Sequence, residues 1–336
     1  MTATILKTLT FIACCAPVWQ GITENNDPLL FPVDDYTVET RTVRTAAGEK
    51  QVTLHSYRHI PYVAKPIDRD YQSLDVTVPV AIDGIAVDAV DAPILFNIGV
   101  GGYLSVKNTA RERDDGRGTP PSGRASGRGP GNPGTMSSKP DLALAAGYVV
   151  VSPGCRGRDN RAADGAYYGK APAAIVDLKA AVRYLRHNRG VMSGNTDWIV
   201  STGCSAGGAL SALLGASGNS PLYGKYLQEI GAADEDDAIY ASACYSPITD
   251  LEHSDMSYEW MYGSVPTRSG LVDQELSRQL RAAYAEYQES LQLAGRNGFG
   301  ILRADNFDAY LLQFYLIPSA NKYLNALADE EREKYL

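Results

Sequence analysis

Histidine is scarce in this chain of 336 residues: His55, His59, His187 and His253 are all it has. Any chemistry that needs an imidazole base must draw on these four. Cysteine is as sparse, and the five thiols at 14, 15, 155, 204 and 244 form an odd set without metal-ligand spacing. That argues against a zinc site and does not fix a redox compartment. No metal and no cofactor is expected. No apolar run is long enough for a stable membrane span. Basic residues are in deficit, 31 Lys and Arg against 39 Asp and Glu, for a formal charge of −8. This balance speaks against nucleic acid as a partner and for a neutral or weakly acidic small molecule.

A hydrophobic content of 44% with 21% charged residues is that of an ordinary globular protein, and the length suits one large α/β domain with insertions. At the N-terminus, Lys7 precedes the short apolar segment Leu9 to Ala16, which has the form of a weak signal core. Pro17 opposes cleavage after Ala16, so residues 1–20 read as either a tail or a weak signal segment. The compartment stays open, with a lean towards secretion.

The most informative stretch runs from Asp197 to Gly208: a short apolar strand, then Gly203-Cys204-Ser205-Ala206-Gly207, then the small-residue run Ala209 to Leu214. Glycines at 203 and 207 let strand and helix pinch together and hold Ser205 on an exposed, strained turn, a nucleophile elbow. A hydroxyl presented beside the N–H groups of a helix N-terminus suits attack on an ester carbonyl.

The rest of the chain supplies a frame for such a turn. Leu74, Val76, Val78 and Val80 alternate with polar or small residues as in a half-buried strand, and Asp83-Gly84 turns the chain. Pro93 to Ile98 reads as a central strand, and the Gly99-Val100-Gly101-Gly102-Tyr103 loop after it offers a backbone N–H to an oxyanion. Residues 107–139, rich in Arg, Gly and Pro, read as a flexible surface loop. A short helix at Asp141 to Ala146 and a buried strand at Tyr148 to Ser152 follow. From Pro172 the spacing of Ile175, Leu178, Val182 and Leu185 predicts a helix, with Lys179, Arg183 and Arg186 on other faces. Strand and helix then alternate through Ala238 to Tyr245, which predicts a mostly parallel sheet with helices on both sides. Asp250, Glu252, His253 and Asp255 fall just past that last strand. From Gly270 the character turns helical, with one stripe of Leu276, Leu280, Ala283, Tyr287 and Leu291, and a second element from Phe307.

A serine nucleophile needs a base and an acid to orient it, and in the order of this fold both follow the serine. His55, His59 and His187 precede Ser205. Only His253 follows, with Asp250 on the same loop as an acid. These two are the acid and base candidates, although His253 comes early for the usual base.

Several strings resemble bacterial tannases, the galloyl-ester hydrolases: Gly169 to Ala181, Ser205 to Leu213, Gly215 to Ser220, and Leu251 to Trp260. The likeness runs from about Leu74 to Trp260, and the helical tail is similar only in character. The resemblance implies an α/β-hydrolase fold, Ser205 as nucleophile, and an oxyanion hole made by the N–H groups of Gly102 and Ala206. It also implies that the family's acid, histidine and galloyl-gripping groups come after Leu336, with the C-terminal strands missing here. His253 matches a family position that is not the catalytic histidine. Fungal tannases and feruloyl esterases share Cys-Ser at the elbow, their cysteine bonded to one beside the catalytic histidine. No such partner is visible here, so Cys204 reads as a buried free thiol.

The expected architecture is therefore an α/β-hydrolase core over 21–260 and a helical cap, or lid, over 261–336. The expected activity is hydrolysis of a small-molecule phenolic ester, weak or lost in this chain if its base is missing. Two other readings stand beside it: a carboxylesterase or feruloyl esterase on other aromatic esters, and a non-catalytic α/β-hydrolase-like binding protein. The exact ester and the oligomeric state are not legible.

Overall fold

The computed structural model describes residues 27–108, 139–266 and 270–335. The signal segment expected at 1–20 and nearly all of the 107–139 loop lie outside them. The chain divides after Tyr245 into two compact units.

In the first unit the strands are β1 (Thr37–Thr45), β2 (Gly48–Pro61), β3 (Ser73–Ile82), β4 (Ile85–Ala86), β5 (Ile94–Ile98), β6 (Val149–Pro153), β7 (Ile199–Cys204) and β8 (Ala241–Tyr245). The main helices are α1 (Lys139–Ala145), α2 (Ala173–His187), α3 (Ala206–Ala216) and α4 (Gly224–Glu229). The eight strands form one sheet in the order β1-β2-β3-β6-β5-β7-β8, with β4 beside β3. The expected parallel sheet is the run β6-β5-β7-β8. An antiparallel wing of β1, β2 and β3 extends it, which makes the whole sheet mixed.

The period of two along each strand divides the core between two faces. Ile94, Phe96, Ile98, Val149 and Val151 join the larger cluster, which α2 and α3 cover. Their neighbours Leu95 and Val150 point the other way, to the smaller cluster closed by Leu144 and Ala145 of α1. Helices on both sides thus follow from strands apolar on both faces. Chain order reverses around β5, which has β6 on one side and β7 on the other. Such a switch point leaves a crevice at the carboxyl ends of the strands.

Helix α2 buries Ile175, Leu178, Val182 and Leu185, as its spacing predicts. Its polar residues are less conventional. Lys179, expected on another face, is fully buried. Its Nζ donates to Asp237 Oδ1 at 2.8 Å, and Arg183 binds the other carboxylate oxygen at 2.8 Å. The N–H of Asn219 donates to Asp237 as well. Burial alone raises the Asp237 carboxyl, but the bonds from Lys179, Asn219 and Arg183 outweigh it and hold it below the usual range.

The second unit holds α5 (Ser254–Tyr262), α6 (Gln274–Ser290), a small hairpin β9 (Ala294–Gly295) and β10 (Gly300–Ile301), α7 (Phe307–Leu311), α8 (Ile317–Ala326) and α9 (Asp329–Arg332). Asp273 caps α6 by accepting from the N–H groups of Glu275 and Leu276. A π-helical turn at Leu312–Leu316 links α7 to α8 just before Pro318, whose missing N–H breaks the regular ladder. The stripe expected on α6 is not its buried face: Leu276 is 54% exposed and Leu291 45%. Ser277 and Gln288 face inward instead, and Gln288 donates to the carbonyl of Leu302 at 3.0 Å. Trp260 packs between Tyr284 and Phe307, each ring centre 5.0 Å away.

Asp237→Ala is expected to cost about 3–5 kcal/mol, because it strands a buried ammonium. The readout is a lower urea midpoint at unchanged slope. The folded carboxyl titrates below the unfolded one, at about 3.9. Its contribution is therefore present above that value and lost as pH falls through the folded one.

Candidate active site

One residue separates β7 from α3, and it is Ser205. Its backbone stands at φ 58°, ψ −122°, a conformation that costs a residue with a β-carbon about 1–3 kcal/mol. Neighbours on three elements hold it there. Ser205 N–H donates to the carbonyl of Tyr245 at 3.0 Å, and Gly207 N–H donates to that of Val100 at 3.0 Å. Ala209 N–H closes the first helical turn onto the Ser205 carbonyl at 2.9 Å. The flanking glycines are sterically required. A β-carbon on Gly203 would sit 2.3 Å from the Gly207 oxygen, and one on Gly207 would sit 2.8 Å from the Ile98 oxygen. The pinch leaves Ser205 exposed and Ala206 buried beneath it.

Cys204 differs from expectation. It is a free thiol but an exposed one, since it ends the strand on the same turn that brings Ser205 out. Cys155 is the buried thiol, and burial raises it far above the usual thiol range.

The loop after β5 meets the turn through Val100, the acceptor for Gly207. Gly102 and Tyr103 both take positive φ, 57° and 56°. Among the described residues, the N–H of Gly102 has no acceptor. The first N–H groups of a helix likewise lack internal partners, and Ala206 opens α3. Arg158 fixes the loop from outside: its Nε donates to the Gly102 carbonyl at 2.7 Å and its N–H to that of Tyr103 at 2.9 Å.

Behind Arg158 lies an ion pair that sequence reading missed. Arg156 Nη2 meets Asp177 Oδ1 at 2.8 Å, and the Arg156 N–H donates to Asp177 Oδ2 at 2.8 Å. Arg156 Nε donates to Asp177 Oδ2 at 2.9 Å, and Gln72 Nε2 adds a fourth donor at 2.9 Å. Burial raises the Asp177 carboxyl even against these bonds. Asp177 lies within a string that carries the tannase resemblance, which was the available signal.

The four histidines divide sharply. His55 stacks on Tyr36, ring centres 3.9 Å apart. His59 Nδ1 contacts the Asn108 carbonyl and lies 3.1 Å from Ser73 Oγ. His187 ends α2 with Nε2 2.7 Å from Asp27 Oδ2, and the Leu29 N–H and His187 together lower the Asp27 carboxyl.

His253, in the second unit, is built differently. Its Nδ1 lies 2.9 and 3.0 Å from the two oxygens of Asp250, so the two candidates of the sequence do meet. Tyr287, read from sequence only as part of a packing stripe, completes the group. Its hydroxyl donates to Asp250 Oδ2 at 2.6 Å, and its ring stacks on the imidazole at 3.6 Å and 10°. The bond from Tyr287, then that from His253, holds the Asp250 carboxyl below the usual range. The same bond pushes the Tyr287 phenol up to about 12. Asp250 and His253 line a cavity of about 400 Å³ together with Ile248, Tyr258, Met261 and Tyr284. Glu252 and Asp255 face solvent.

Among the described residues no group of three or more His, Cys, Asp or Glu could hold a metal ion. Among them, too, no helix is long and apolar enough to cross a membrane.

A sheet that reverses order around β5, with a strained serine at the end of the next strand, defines an α/β-hydrolase. Within that superfamily the chain is similar to bacterial tannases. It is similar to Fusobacterium nucleatum tannase at 37% identity and a TM-score of 0.63, over 88% of this chain and 65% of that one. The tannin acyl hydrolase of Lactobacillus plantarum gives 35%, 0.62, 90% and 65%. A tannin acyl hydrolase in complex with ethyl gallate gives 33%, 0.62, 90% and 65%. The chain thus spans about two thirds of the length of these proteins. The likeness extends past the Leu74 to Trp260 stretch expected from sequence. The family model BD-FAE matches residues 122–287. Esterase LipQ of Mycobacterium tuberculosis is 37% identical over 90 residues, 27% of this chain and 20% of its own length.

Gly203→Ala is expected to destabilise by about 1–3 kcal/mol or more, since its new methyl meets backbone and not a movable side chain. Gly224→Ala, at a helical φ of −53° with open space around it, is expected to be neutral or slightly stabilising. Urea midpoints compare the two. Separately, Asp250→Asn should bring the Tyr287 phenol down towards the ordinary value of about 10, followed by carbon-13 NMR of labelled tyrosine.

Proposed function

We propose that this chain belongs to a serine esterase that cleaves galloyl, tannin-type ester bonds through an acyl-enzyme on Ser205. The observation that carries the reading is the exposed Ser205 at its strained turn, in a chain 33–37% identical to tannases. The Ser205 oxygen attacks the ester carbonyl carbon, and the N–H groups of Gly102 and Ala206 hold the resulting oxyanion. Collapse expels the alcohol and leaves the acyl group on Ser205. Water then attacks that ester and releases the acid. Asp250 and His253 are this chain's own candidates for acid and base, at a position that the resemblance does not assign to the catalytic histidine. The substrate is a small phenolic ester.

Fluorophosphonate labelling of Ser205, lost in Ser205→Ala, supports this function; a folded, unlabelled protein supports a binding role instead. Methyl gallate is expected to turn over faster than methyl ferulate or a short nitrophenyl ester. Equal rates on the three remove the galloyl assignment and leave a general carboxylesterase.

A further inference from the structure

We propose that a cavity on the flank of the first unit binds a small aromatic hydroxy-acid, held at its carboxylate by Arg156 and Lys170 and at its hydroxyl by Glu229. The cavity measures about 160 Å³, below the ~300–1,000 Å³ of drug-sized sites, and suits a single ring. All of its lining residues belong to the first unit, and none belongs to the Ser205 turn or the Gly102 loop. Pro172, Ala173 and Val176 at the start of α2, with Tyr226 of α4 and Ile230 just past it, make apolar walls. Arg156 lines the cavity with a side chain only 7% exposed. Asp177 occupies one edge of that guanidinium, with Nε 2.9 Å from Oδ2 and Nη2 2.8 Å from Oδ1. Each terminal nitrogen of a guanidinium carries a pair of N–H groups. Nη1 has a single acceptor, the Tyr168 carbonyl at 3.3 Å, and Nη2 has only Asp177. One N–H on each therefore stays unused among the described residues. The Nη1–Nη2 edge is a fork that fits a carboxylate through two parallel bonds, and Asp177 leaves it open. Donors buried without partners are unfavourable, and a ligand carboxylate satisfies them.

Two charges at the rim complete the site. Lys170 and Glu229 both line the cavity, and neither has an ion-pair partner among the described residues. The Lys170 ammonium lies 4.5 Å from the centre of the Tyr167 ring. The Tyr168 hydroxyl is already committed to Asp68 Oδ2 at 3.0 Å. Opposite charges on one rim that do not pair with each other suit a ligand with an anionic end and a hydrogen-donating end. A sulfate ion has no donor for Glu229 and no flat face for the apolar walls.

The proposed hydrolysis would release an acid of this class, but the site does not depend on Ser205 as nucleophile. Binding is therefore read without turnover, by NMR of the full chain with its isoleucine methyl groups labelled with carbon-13. Para-hydroxybenzoate is expected to bind and to shift the methyl signals of Ile67 and Ile230, which both line the cavity. Benzoate is expected to bind about tenfold more weakly, and para-hydroxybenzyl alcohol, which has no carboxylate, at least as weakly. Lys170→Met and Glu229→Ala alter exposed side chains, so the fold persists. Lys170→Met is expected to weaken para-hydroxybenzoate about tenfold, and Glu229→Ala to erase its advantage over benzoate. Arg156→Lys keeps the charge, removes the fork and is expected to abolish binding; the two rim variants decide the question if that protein does not fold. Ser205→Ala is expected to leave the shifts unchanged, and their loss there would put the acid at the elbow instead. An acid that moves neither isoleucine signal, or binds both rim variants as tightly as the parent, overturns the site. So does sulfate that competes as well as para-hydroxybenzoate, since it leaves only an unselective anion site. A chain that fluorophosphonate fails to label sinks the esterase reading and leaves this site standing.

Discussion

The approach of strand β7 to helix α3 is the constraint on which the rest depends. Two glycines four residues apart let the backbones come closer than any β-carbon allows. The single residue between the two elements then has no choice but a left-handed turn. That turn is unfavourable by itself and persists because the end of β8 and the loop after β5 hydrogen-bond to it. Ser205 is exposed for the same reason that it is strained. Its position comes from the sheet and not from the packing of its own side chain.

The same logic carries outward in a sequence of contacts. Asp177 on α2 binds Arg156; the next residues cross the loop after β5, and Arg158 grips the carbonyl of Gly102. At Gly157 that crossing is so close that a β-carbon would fall 2.1 Å from the Ser105 nitrogen. A buried pair of this kind is a poor source of net stability, but breaking one partner is costly, which makes it a good spacer. Two loops at the switch point are thereby held from within the core, and the Gly102 N–H stays unused. In the second unit, order comes from a different source: Asp250, His253 and Tyr287 constrain one another through two short bonds and one stacked ring.

Much of this was legible in the sequence wherever the signal was local. The α2 spacing, the Asp83-Gly84 turn and the glycines around Ser205 all report structure through neighbours in the chain. Lys179 was misjudged because its partner Asp237 lies on a distant loop, and a periodic helix with a lysine normally turns that lysine to solvent. Cys204 was misjudged because the same turn that presents Ser205 presents its neighbour. On α6 the stripe of Leu276 and Leu291 had the right period on the wrong face, since the inward positions are Ser277 and Gln288, which no hydrophobic pattern marks. Tyr287 gave no sign of its contacts: stacking and hydrogen bonding to a residue on another element leave no trace in spacing. The wing of β1 and β2 was only partly visible, because long antiparallel strands with a wet face carry mixed polarity.

The central claim is that the strained, exposed Ser205 carries the acyl group. Its most direct measurement is the mass of the intact protein, quenched in acid within moments of mixing with methyl gallate, followed by peptide mapping. The account predicts a fraction of molecules heavier by one galloyl group, with the added mass on the peptide that contains Ser205. Turnover of the ester with no adduct at Ser205, or an adduct on another residue, contradicts it.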